Sequence, residues 1–104
     1  MIKLVYCLRK KANISQEEFH RYWREEHAPL VTSVAHESKC IKYIQSHTIQ
    51  TALNELFVES RGLAEAYDGI TECWWESEEA LVNATKTEGG IKVFQAMLED
   101  EKSF

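Results

Sequence analysis

Four histidines, three cysteines and four tyrosines are the side chains of this 104-residue sequence best suited to move a proton or attack an electrophile. His20 and His27 stand seven positions apart in SQEEFHRYWREEHAPLV, residues 15–31. Seven residues span about 10.5 Å of helical rise, too far for both imidazoles to ligate one metal. His27 falls in a last helical turn, where the helix dipole favours a charged imidazole. His20 reads as a surface residue. His47 closes the row Tyr43, Gln45, His47 along one face of a strand pattern, which reads as a cavity wall with polar tips or a wet interface. Imidazole exchanges its proton near neutral pH, so His47 on such a wall, with a second histidine and a tyrosine nearby, is a candidate acid/base constellation. His36 and Cys40 have metal-like spacing but straddle a loop, and no metal centre is expected. There is no Gly-rich phosphate loop, nucleophile elbow or HExxH.

These residues need elements to hold them. Ile2 to Leu8 alternates as a strand, with Ile2, Leu4, Tyr6 and Leu8 on one face and Lys3, Val5 and Cys7 on the other. Ser15 and Glu18 form a capping-box pattern, flanked by Ile14 and Phe19 at the staple positions. The helix that follows carries Phe19, Tyr22, Trp23 and Leu30 on one stripe, and Glu26 falls there too. Pro29 is expected to break that helix and start a short second piece through Ala35. Cys40 to Thr48 reads as a second strand and Ile70 to Trp75 as a third, after a turn at Tyr67-Asp68-Gly69. Adjacent strand residues point oppositely, so one of Trp74 and Trp75 joins the helix-packed core. The connection from Gln50 to Ala66 shows no sustained period and reads as a long loop, with Asn54 to Val58 as a candidate single turn of helix within it. Ser77 caps a helix that runs to about Lys86, where Gly89-Gly90 stops it. Ile91, Val93, Phe94, Met97 and Leu98 mark a final amphipathic helix, ending in the acidic tail Glu99-Asp100-Glu101. The order β, α, β, β, α is one strand short of a ferredoxin-like split βαβ unit.

The length allows one domain, residues 1–104. So small a domain buries a limited fraction of its surface, and self-association is a common supplement. With three Trp, four Tyr and four Phe, the chain has aromatic rings enough for both a core and an interface. The net charge of −5 excludes nucleic acid as an expected partner, since phosphate binding needs clustered Lys and Arg and only Arg9-Lys10-Lys11 is such a cluster. Cys7, Cys40 and Cys73 are odd in number and widely spaced, which suits free thiols in a reducing cytoplasm. No apolar run approaches a membrane span, so no membrane association is expected.

FHRYW (residues 19–23) followed by HAPLV (27–31) resembles the signature of the EthD family. IKLVYCLRKK, YIQSH (43–47) and YDGITECWWES (67–77) are similar to further blocks of that family, in the same order along nearly the whole chain. The resemblance implies an α+β fold, a ferredoxin-like antiparallel sheet paired with a second copy into a dimeric α+β barrel. Family members continue into a closing strand after a phenylalanine placed like Phe104, so that strand is expected to be missing here. The resemblance implies a small hydrophobic or aromatic ligand and no cofactor. Its activities include cofactor-free dehydratase, lyase or isomerase chemistry, non-catalytic accessory binding in a catabolic pathway, and haem- or oxygen-dependent monooxygenation in the wider superfamily. Carried over position by position, it implies His27 and His47 as catalytic residues. Tyr6, Trp23, Tyr43, Asp68, Trp74 and Trp75 are the implied substrate-binding set.

Overall fold

A computed structural model describes residues 1–104. Three strands, β1 (Ile2–Leu8), β2 (Lys42–His47) and β3 (Gly69–Trp75), pair antiparallel in the order β1-β3-β2. The central strand β3 is rich in Thr, Ile and Trp, types that fit a pleated and half-buried surface. Register sets which side chains share a face. Leu4 and Tyr43 both oppose Cys73, Tyr6 and Gln45 oppose Thr71, and Leu8 and His47 oppose Gly69. These residues, with Trp75, lie on the helix-covered face. The other face carries Lys3, Val5, Cys7, Lys42, Ile44, Ser46, Ile70, Glu72 and Trp74, and no helix of this chain packs on it to bury them. The architecture is α+β and ferredoxin-like, with no fourth strand beside β1 within these residues.

Helix α1 (Gln16–Tyr22) starts at Ser15, whose Oγ accepts the Glu18 backbone N–H at 3.0 Å. The reciprocal half of the capping box is not made, because the Glu18 carboxylate pairs with Arg21 instead. Ile14 packs against the Phe19 cluster as the staple requires. The helix does not break before Pro29. A π-helical segment (Trp23–His27) joins it directly to α2 (Ala28–Ser33), and the Ala28 N–H donates to the Trp23 carbonyl. This wider turn accommodates a residue that has no N–H and would crowd a regular turn. It also keeps Phe19, Trp23, His27 and Val31, each four residues on, buried on one side. Glu26 turns outward and pairs with Arg21 at 2.8 Å.

Helix α3 (Ala35–Ser38) ends at Lys39, whose φ of 65° reverses the chain into β2. The expected loop from Gln50 to Ala66 instead contains α4 (Ala52–Arg61), capped by the Thr51 hydroxyl and ended by Gly62 at φ 62°. Nothing in α4 is buried; Leu53, Leu56 and Phe57 stay exposed, so the pattern is helical without a core to face. Ser77 caps α5 (Glu78–Ala84) as expected. Gly89-Gly90 does not terminate that helix but lies in the first turn of α6 (Glu88–Glu101), capped by Thr87. A Cβ on Gly90 would come within 1.7 Å of the Ala84 carbonyl oxygen, so glycine there allows the tight α5–α6 corner. Phe104 folds back onto Phe19 and Tyr22, and its carbonyl accepts the Lys11 N–H at 2.8 Å.

Candidate functional site

The helix-covered face of the sheet is not filled. Between it, the α1–α2 segment and α6 lies a cavity of about 330 Å³, with 13 of its 18 lining residues hydrophobic. That volume is at the small end for ligand pockets and matches roughly eleven water-sized volumes, or one or two fused rings. The sheet contributes Tyr6, Tyr43, Thr71, Cys73 and Trp75; α6 contributes Phe94, Met97, Leu98 and Glu101. Burial raises the pKa of the Tyr6 and Tyr43 hydroxyls, which keeps them neutral donors. Glu101 is exposed at the rim of the cavity; the partial desolvation of its carboxyl raises its pKa, with His27 opposing and Asp100 adding to the shift.

His27 is buried and lines this cavity. Its Nδ1 lies 2.7 Å from Asp100 Oδ2, and the other Asp100 oxygen accepts the Tyr22 hydroxyl. A carboxylate only accepts, so Nδ1 carries the proton and donates. Nε2 is left as a lone pair with no protein partner, and it is not among the sealed, unpartnered polar atoms. The atom is thus not sealed from solvent, in a residue that lines the cavity. The Asp100–His27 pair is an oriented imidazole that can accept or return a proton. The ring also packs on Phe104, at 4.9 Å between centroids.

His47 shares the sheet face but does not reach the cavity. Its Nδ1 lies 2.7 Å from His20 Nδ1, its Nε2 lies 2.8 Å from Gln45 Oε1, and its ring packs on Trp23. Gln45 in turn donates to the Trp23 carbonyl and to the Tyr43 hydroxyl oxygen. One set of neutral tautomers satisfies this chain. His47 Nε2–H donates to Gln45, and His20 Nδ1–H donates to His47 Nδ1. His20 Nε2 is then a buried acceptor without a partner. Burial holds the pKa of both imidazoles low, with His20 and Arg24 lowering His47 further. His20 is thus a member of an internal network and not a free surface residue.

Of the other expected ligand contacts, Tyr6, Trp23, Tyr43 and Trp75 line the cavity, whereas Asp68 and Trp74 do not. Asp68 clasps the start of the chain: its carboxylate accepts the Lys10 N–H at 2.7 Å and the Gln16 side-chain amide. Trp74 lies on the uncovered face beneath the Lys3 and Lys42 ammonium groups, at 5.4 and 4.9 Å. The wall row Tyr43, Gln45, His47 lies under the helices, so it is no part of the face that a barrel partner would meet. Gly69 follows from the site as well, since a Cβ there would stand 2.3 Å from the Trp23 ring. Asp100 and Glu101 were hidden in what reads as a solvated acidic tail. Extending the stripe Phe94, Met97, Leu98 by one turn reaches Glu101, and that is the signal that could have found them. No helix is long and apolar enough to cross a membrane.

The EthD domain profile matches residues 11–104. The fold is similar to the crystal structure of an ethyl tert-butyl ether D (EthD) family protein from Bacillus halodurans C-125, at 17% identity and a TM-score of 0.63, covering 98% of this chain and 84% of that one. No curated protein is similar to the chain at a significant level.

Proposed function

The chain belongs to the EthD family, and we propose that it works as a homodimer that binds a small apolar or aromatic molecule in its cavity and moves a proton on it with His27. The observation that carries this reading is the unpartnered Nε2 of a buried histidine, oriented by Asp100, at the edge of an apolar cavity. Glu101 takes the place that His47 was expected to hold. A carboxyl with a raised pKa and an imidazole in one cavity form an acid/base pair of the kind that cofactor-free dehydratases, lyases and isomerases use. Tyr6 and Tyr43 supply hydroxyls to orient a carbonyl or phenol. Self-association is supported by the uncovered sheet face, where Val5, Ile44, Ile70 and Trp74 lack a packing layer.

Titration with 1-naphthol, followed by tryptophan fluorescence, tests the binding step, since Trp23 and Trp75 both line the cavity. Saturable quenching is expected in the parent protein. It should be lost in Met97→Trp, which fills the cavity, and the proposal fails if that variant folds and binds unchanged. The proton-transfer step is tested by exchange of an acidic carbon-bound hydrogen in a bound aryl ketone. Exchange in D₂O should fall at least tenfold in His27→Gln while binding persists. Equal exchange in both proteins would leave a non-catalytic binder, the second reading, favoured by the preponderance of apolar lining residues.

A further inference from the structure

One hydroxyl of the cavity wall has its direction fixed by the protein. Tyr43 and Gln45 stand two apart on β2, so both side chains lie on the helix-covered face. The Gln45 amide approaches the Trp23 carbonyl oxygen at 2.7 Å. A carbonyl oxygen only accepts, so the atom facing it is the amide nitrogen, Nε2. That carbonyl also takes the Ala28 N–H across the π-helical turn, so both of its lone pairs are in use. The second hydrogen of Nε2 goes to the Tyr43 hydroxyl oxygen at 2.8 Å. Oε1 then faces His47 Nε2 at 2.8 Å and accepts its N–H. A flipped amide would set oxygen against oxygen at Trp23. Tyr43 is therefore an acceptor toward Gln45, and its own hydrogen is bonded to no group of the chain.

We infer that Tyr43 is a dedicated O–H donor that holds the carbonyl oxygen of the ligand, with Gln45 as the residue that positions it, so the cavity selects small aryl carbonyl compounds over hydrocarbons of the same shape. This rests on the binding reading above and narrows its ligand class to molecules with an acceptor oxygen beside an apolar body. The mostly apolar lining takes the ring. Burial raises the Tyr43 pKa, with the bond from Gln45 opposing, so the hydroxyl keeps its hydrogen while it donates. Tyr43 and His27 line the same cavity. In the proton-transfer step His27 Nε2 takes a proton from the carbon beside the carbonyl. The C–H pair becomes the carbon–carbon double bond of an enolate, and the carbonyl π pair moves onto the oxygen. Return of the proton from His27 to that carbon restores the ketone, so nothing is consumed. A hydrogen bond to a charged oxygen is stronger than one to a neutral carbonyl, so the Tyr43 bond favours the enolate.

Two ligands of one shape read the preference: acetophenone, and α-methylstyrene, in which a CH₂ group replaces the carbonyl oxygen. Each is titrated into the protein with tryptophan fluorescence as the signal. One neutral hydrogen bond should give the ketone a roughly 3–10-fold lower Kd. Tyr43→Phe should make the two ligands equal by weakening the ketone and leaving the alkene as it was. Gln45→Glu tests the positioning. Its carboxyl has no hydrogen, or one that the Trp23 carbonyl claims, so Tyr43 turns its hydrogen onto that carboxyl and the ketone preference should vanish with the hydroxyl still present. A merely structural role for Gln45 would weaken both ligands alike. Should that variant not fold, the Gln45 side-chain amide resonances of the parent protein decide. They should move further with acetophenone than with α-methylstyrene, since donation by Tyr43 strengthens the bond it accepts; an equal response removes the role of Gln45. Equal binding of the two ligands by the parent overturns the inference and leaves the binding reading standing. A ketone preference that survives Tyr43→Phe overturns it as well. If neither ligand binds, the binding reading falls and the inference with it. His27→Gln should keep the ketone preference while proton exchange falls, so failure of the base at His27 is read separately from failure of the donor at Tyr43.

Discussion

Asp100→Ala should destabilise the protein far more than its place in an acidic tail suggests. Asp100 accepts two hydrogen bonds, from His27 Nδ1–H at 2.7 Å and from the Tyr22 hydroxyl. A hydrogen bond to a charged group contributes about 1.5–3 kcal/mol when sheltered, and leaving a buried donor unpaired costs about 1–3 kcal/mol. The His27 side chain is 7% exposed and the Asp100 side chain 21% exposed, so water can reach the carboxylate side but hardly the imidazole. Discounting the Tyr22 bond for its partial exposure leaves about 2–4 kcal/mol for the alanine variant. Asp100→Asn retains one acceptor oxygen and should lose about 1–2 kcal/mol. Glu99→Ala is the control: that side chain is exposed and bonds only Gln95 and Lys102, and its loss should fall within ~0.5 kcal/mol. Urea denaturation followed by circular dichroism, at one fixed protein concentration, reads all three. For a domain of this size the alanine variant should melt ~8–20 °C lower. If Asp100→Ala and Glu99→Ala are equally mild, Asp100 does not hold His27, and the description of the site is mistaken.

Acid should weaken the fold through the His20–His47 pair. Their folded pKa values lie below the unfolded value of 6.5, so below that pH the unfolded chain binds protons that the native network resists. Stability should be flat in this contribution above pH 7 and fall as pH drops through 6.5, and His20→Phe combined with His47→Leu should flatten that part of a stability–pH curve. Gly69→Ala should cost about 1–3 kcal/mol by pressing a methyl on the Trp23 ring, measured by thermal melting. If Gly69→Ala is neutral, Trp23 is not packed against β3. Trp74→Glu on the uncovered sheet face should convert a dimer to a monomer in size-exclusion chromatography with light scattering, while leaving far-ultraviolet circular dichroism unchanged. A parent protein that is already monomeric removes the homodimer from the proposal.

Much of the frame was legible because local signals agree there. The Ser15 cap, the Ile14–Phe19 staple and the strand alternation each report backbone chemistry within a few residues. The site was less legible, for reasons that can be named. On a regular helix of about 100° per residue, Glu26 lies about 60° to one side of Trp23 and His27 about 40° to the other, so wheel arithmetic barely separates them. The π-helical turn decides for His27, and Pro29 gives the opposite hint of a break. His20 and His47 are 27 residues apart and meet only because α1 crosses the end of β2. Asp68 and Trp74 were expected at the ligand, but an Asx clasp and a cation–π stack are tertiary facts that strand parity alone does not supply. Parity does put Trp74 and Trp75 on opposite faces, and the register settles that Trp75 is the inner one. The missed residues Asp100 and Glu101 follow an apolar stripe that continues past the point where the charges begin.

The central claim is that Asp100 presents His27 Nε2 to a ligand-binding cavity from which His47 is excluded. Long-range ¹H–¹⁵N correlation spectra of ¹⁵N-histidine-labelled protein at pH 7.5, recorded during titration with 1-naphthol, test it directly. The account predicts that His27 is the Nδ1–H tautomer and that its Nε2 resonance shifts saturably, with His20, His36 and His47 unmoved. A His27 ring protonated on Nε2, or a titration that moves His47 and leaves His27 in place, would contradict it.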